Sequence, residues 1–205
     1  MGIGIDWLLI FGTNMHFFLL SYAILGGGIK YIDAAFDEKV FSKKIALVVA
    51  PLLGILWAYT MFANEISTTI LLAVILAVLI KGKIDNRAHI IGLVTIAIFS
   101  VFVIFFIDGS GLMMLPLVLL TSAGLIDEVG NDVMGYNKKF LNNGRFRYRF
   151  SLYFFGRRYL MKAAILYLVL LGIFPLYFLL AFILFDEAYI MMDLYSQSRQ
   201  SIADS

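Results

Sequence analysis

Apolar runs recur along the whole chain, at 7–28, 45–63, 68–80, 90–107, 112–126 and 160–185, and nearly all charged residues fall between them. Hydrocarbon offers no water to a backbone, so each run must satisfy its own N–H and C=O groups, which makes each a helix. Of the 205 residues, 62% are hydrophobic and 15% charged, with a mean hydropathy of +0.93. A soluble domain is roughly half apolar and a quarter charged. These figures exclude an ordinary soluble globule, a disordered chain and a nucleic-acid-binding protein. The expected fold is all-α, a polytopic helical bundle forming a single transmembrane domain over 1–205, placed in the cell membrane. The opening run has no positive residue before it and no small-residue cleavage site, and is expected to stay as a span.

The number of spans turns on the last run. It holds Gly172-Ile173-Phe174-Pro175 and stays largely apolar beyond 185, so a hairpin of two short spans competes with one Pro-kinked helix. Charge favours the hairpin. The sixteen Lys and Arg fall at 29–44, 81–87, 138–162 and 199, and seven spans put all of them on one side. By the positive-inside rule that side is cytoplasmic, with the N-terminus outside and the C-terminus inside. The other side carries only Asp6, Glu65 and Asp108. This topology predicts a cytoplasmic basic and aromatic loop at 127–159 and a polar C-terminal tail at 196–205.

With no cysteine, thiolate metal sites, disulfides and Cys nucleophiles are absent, and His16 and His89 leave little for zinc. Carboxylates carry the chemistry instead. The cytoplasmic ends of the odd-numbered spans read Ile32-Asp33-Ala34-Ala35-Phe36-Asp37-Glu38, then Ile84-Asp85-Asn86-Arg87-Ala88-His89, then Ile126-Asp127-Glu128-Val129-Gly130-Asn131-Asp132, and finally Phe185-Asp186-Glu187. Spacing of four puts Asp33 with Asp37, Asp85 with His89, and Glu128 with Asp132 on common helix faces. Like charges held side by side suit a cation between them, and hard oxygen ligands with room for phosphate suit Mg²⁺. Asp33, Asp37, Asp127, Glu128 and Asp132 are the candidate metal ligands, with Asp85, His89, Asp186 and Glu187 as secondary candidates. A solvated helix end is the better explanation of any one such pair taken alone, and four in register are what favour a cation; nearby lysines and arginines offer a surface ion-pair network as a further alternative.

The loop supplies the second signal. Arg145, Arg147, Arg149, Arg157 and Arg158 alternate with Phe146, Tyr148, Phe150, Tyr153 and Tyr159, a pattern that suits an interfacial segment on anionic lipid. The sharper reading has Lys138, Arg145, Arg147, Arg157 and Arg158 fold back to hold a diphosphate.

Taken together, Tyr31-Ile32-Asp33-Ala34-Ala35-Phe36-Asp37 is similar to the tail of the first aspartate-rich motif of UbiA-type intramembrane prenyltransferases, and Glu128-Val129-Gly130-Asn131-Asp132 resembles their second, Asp-x-x-x-Asp. Four spans separate the two motifs, as in the family. Ile29 and Lys30 stand where the first motif carries Asn and Asp, and the chain is about two spans shorter. The resemblance implies a helical barrel with a lipid-facing cavity, in which the motifs hold Mg²⁺ and a prenyl diphosphate for transfer to a small or lipid acceptor. Aromatic faces such as Tyr22, Tyr31 and Phe36 would then shield the allylic cation. Two other classes fit the same residues: a cation or small-solute transporter, and a non-catalytic subunit whose basic loop binds membrane lipid.

Overall fold

A computed structural model describes residues 14–82, 86–106, 111–137, 154 and 157–203. Among them are seven helices and no strand: α1 (Met15–Phe36), α2 (Lys43–Phe62), α3 (Glu65–Lys81), α4 (Arg87–Phe106), α5 (Met114–Asn137), α6 (Tyr159–Leu170) and α7 (Leu176–Ala203). The all-α class is as the sequence predicts. Two of the described helices, α1 and α2, are long and apolar enough to cross a membrane.

Local chemistry sets the helix ends. Asn14 opens α1 by accepting from the His16 N–H, and Asn64 opens α3 by accepting from Ile66. Gly82, at φ +70°, closes α3 in the left-handed conformation that lets its N–H return to Leu79 and Val78. The break in the last apolar run is a true turn: α6 ends by Leu171, Gly172 adopts φ +71°, and α7 begins after Pro175. Two helices joined by a turn thus form in place of one kinked helix, because Gly172 reverses the chain and Pro175 has no N–H to continue it.

Two segments expected to be loop or tail are helical. α5 runs through 127–137, carrying the second acidic motif on helix, and α7 continues to Ala203. In α7 the extension is supported by local pairs, Gln197 to Asp193 and Arg199 to Tyr195, both one turn apart.

Helix contacts run in a ring from α1 to α2, α3, α5, α6, α7 and back to α1, with α4 laid against α2. Inside the ring lie Phe18, Tyr22, Leu25, Ile70, Leu71, Leu120, Ile165, Phe178, Phe182 and Phe185. Ser21, Thr60, Ser67, Thr68 and Thr69 are buried in this interior. Tyr22 and Ser67 hydroxyls pair at 3.2 Å, while Thr60 and Thr69 bond back to carbonyls one turn earlier. The outward faces are aliphatic, with Leu20, Val48, Leu52, Ile98, Leu115, Val118 and Leu170 all exposed.

The α1–α7 contact is the most extensive and depends on one glycine. A Cβ on Gly26 would lie 1.9 Å from the Phe185 carbonyl oxygen, whereas at Gly27 the nearest atom would be 3.6 Å away. Gly26→Ala is therefore expected to force α1 and α7 apart and cost about 1–3 kcal/mol. Gly27→Ala should change stability by no more than about 0.5 kcal/mol. Thermal unfolding of the two variants in detergent checks the contrast.

Candidate functional site

The helix ends opposite the Asn64 turn surround a cavity of about 440 Å³. Its polar end is built from Asp33 and Asp37 of the first acidic motif, His89, then Asp127, Glu128 and Asn131 of α5, Arg158, and Asp186 and Tyr189 of α7. Its other wall is apolar, with Leu53 and Trp57 of α2, Val74, Ile75 and Val78 of α3, and Leu93 and Ile96 of α4. Helical phase explains why these residues meet. Asp33 continues the face of α1 that packs into the bundle, and Asp186 follows Phe185, a core residue of α7.

Within the polar end the side chains are already engaged with one another. His89 Nε2 lies 2.6 Å from one Asp33 oxygen, and the Tyr189 hydroxyl donates to the other at 3.1 Å. Burial and the adjacent Asp33 carboxylate raise the Tyr189 phenol well above its ordinary value, which keeps it a donor. Arg158 sits at φ +47° immediately before α6. Its guanidinium bonds Glu128 at 3.4 Å, pairs with Asp186 at 3.8 Å and stacks 5.3 Å from the Tyr189 ring centre. Burial opposes its charge, but Glu128 and Asp186 more than compensate. Lys162 reaches the other Asp186 oxygen at 2.6 Å.

Asp127 has a separate task. Arg158 makes no side-chain cap to α6, and the carboxylate of Asp127, projecting from α5, accepts instead from the N–H groups of Leu160 and Met161 at 3.2 and 2.8 Å. A carboxylate at a helix N-terminus also meets the favourable end of the dipole. Burial at 1% exposure is the larger effect, and lifts this group to about 6.

The four acidic segments thus converge only in part. Asp33, Asp37, Asp127, Glu128, Asp186 and His89 face one cavity, whereas Asp132 pairs with Lys81 at 3.0 Å and Glu187 with Arg157 at 3.3 Å. Asp85, Lys138, Arg145 and Arg147 lie outside the described residues. Among the described residues no group of three or more carboxylate or imidazole side chains is placed to hold a metal ion. The aromatic lining comes from Trp57 and Tyr189, while Tyr22 is fully buried against Ser67 and Tyr31 stacks on Phe41. Tyr189 and Lys162 escape a motif-based reading. Both carry a signal in spacing: Tyr189 is three residues after Asp186, and Lys162 is four after Arg158.

No family model, characterised protein or solved structure matches this chain.

Because Asp127 holds its proton to about 6 when folded but loses it near its ordinary value of 3.8 when unfolded, its contribution is fully present below pH 4 and is lost as pH rises through 6. The Asp127 component of the thermal midpoint should fall across that window, by an equivalent of at most about 3 kcal/mol. Asp127→Asn should flatten this component, and Asp127→Ala, which removes the cap, should cost a further 1–2 kcal/mol or about that. Unfolding measured from pH 4 to 7 in detergent tests both.

Proposed function

We propose that this chain is a multi-pass integral membrane enzyme that binds a prenyl diphosphate in the amphipathic cavity and transfers the prenyl group to a small or lipid acceptor. The observation that carries this reading is the shape of the chemistry: charged groups from α1, α4, α5, α7 and Arg158 close one end, and an apolar wall of α2, α3 and α4 continues from it. That arrangement matches a ligand with a charged head and a hydrocarbon tail. The exposed aliphatic faces and the interior polar groups of the helices support lipid as the surrounding solvent.

Each side chain then has a role. Arg158 is the anion-binding donor, held by Glu128 and Asp186 at the end of the cavity where the diphosphate rests. Carboxylates outnumber it in the lining, so the diphosphate arrives as its magnesium salt, the cation being part of the substrate. Leu53, Val74, Val78 and Ile96 hold the tail and exclude water from the reacting carbon. The faces of Trp57 and Tyr189 are placed to stabilise positive charge as the diphosphate departs. The same excess of carboxylates favours one other reading, a cation transporter, for which proteoliposome flux rather than diphosphate binding is the relevant property.

Calorimetric titration of the purified protein with geranylgeranyl diphosphate should show binding that requires Mg²⁺. Arg158→Ala should weaken it by about tenfold to a hundredfold, the worth of one charge-assisted contact. No heat of binding with or without Mg²⁺ overturns the reading. The absence of cysteine makes topology directly testable: a membrane-impermeant maleimide should label Glu65→Cys in intact cells, and Arg87→Cys only after permeabilisation.

A further inference from the structure

We propose that His89 is the proton acceptor for a hydroxyl-bearing second substrate, with Asp33 as its positioning residue; the inference rests on the prenyl-transfer reading above. His89 lines the cavity from the first turn of α4, where its own N–H bonds the Asn86 side chain at 2.9 Å and fixes the turn that carries it. Its Nε2 meets Asp33 at 2.6 Å, and the second Asp33 oxygen is taken by the Tyr189 hydroxyl at 3.1 Å. An imidazole that gives Nε2–H to a carboxylate keeps its lone pair on Nδ1, and the carboxylate stabilises the cation formed when Nδ1 takes a proton. Three helices, α1, α4 and α7, thus orient one ring.

The dyad adjoins the anion-binding end of the same cavity. Tyr189 holds Asp33 through its hydroxyl and carries the Arg158 guanidinium over its ring. Diphosphate anchor and base are therefore linked through one side chain. A base beside the donor serves a nucleophile that must lose a proton as it reacts, which an alcohol must do and an already ionised nucleophile need not. In the step, the hydroxyl oxygen forms a bond to the allylic carbon and that carbon's bond to the diphosphate oxygen breaks. The electron pair leaves with the diphosphate, and the hydroxyl proton passes to His89 Nδ1. Nothing is oxidised or reduced.

A purely structural role, tying α4 to α1, predicts a different outcome, and His89→Gln separates the two because glutamine keeps a donor for Asp33 but cannot act as a base. The assay uses the full chain in detergent with magnesium geranylgeranyl diphosphate and 1-dodecanol, measuring ether formation and diphosphate release. His89→Gln should retain donor affinity and thermal midpoint while kcat falls about 100-fold or more. Asp33→Asn should lower kcat, and added imidazole should restore turnover to His89→Ala. Undiminished kcat in His89→Gln overturns the proposal, as does wild-type protein that binds the donor yet forms no ether. Failure of wild-type protein to bind the donor overturns instead the reading on which the proposal rests.

Discussion

Closure of the helix ring by α1 and α7 is the constraint on which the rest of the structure depends. These helices meet so closely at Gly26 that the Phe185 carbonyl occupies the place of a side chain. The approach sets the register of everything beyond it toward the polar end. Lys30 pairs with Asp193 at 2.7 Å, and Tyr189 reaches Asp33, both across the same seam. Without that contact the first and last acidic segments, more than 150 residues apart in the chain, would have no fixed geometry.

A second junction organises the opposite side of the cavity. Arg158 stands at the start of α6, but its guanidinium has no acceptor for the free N–H groups there, and Asp127 on α5 accepts them instead. The guanidinium lies between Glu128 and Asp186. Removing either carboxylate leaves a buried charge less compensated, a cost that exceeds that of breaking an exposed pair. Each of the carboxylates at this end has a protein partner.

Much of the cavity's polar lining was legible in the sequence. Asp33, Asp37, Asp127, Glu128 and Asp186 stand at helix ends that charge segregation placed on one side, and Arg158, read as a diphosphate ligand beside them, lines the same cavity. Spacing of four was a weaker guide. It grouped Glu128 with Asp132, yet Asp132 lies one turn farther along α5 and turns to Lys81 of α3. Likewise His89 takes Asp33 of another helix as partner, a contact 56 residues distant that no local pattern encodes.

By itself the sequence determined the helical class, the approximate positions of the helices and the clustering of charge at their ends, because long apolar runs separated by short polar breaks satisfy their backbone hydrogen bonds locally as helices. Turn chemistry at Asn64, Gly82, Gly172 and Pro175 sets both ends of α3 and the break between α6 and α7 for a similarly local reason. Tertiary structure alone decided which acids share a cavity, which of them cap a helix, and that an apolar wall from α2, α3 and α4 faces them. Those outcomes depend on rotation about each helix axis and on how closely two helices can approach, and both are settled only when side chains from distant parts of the chain compete for the same space.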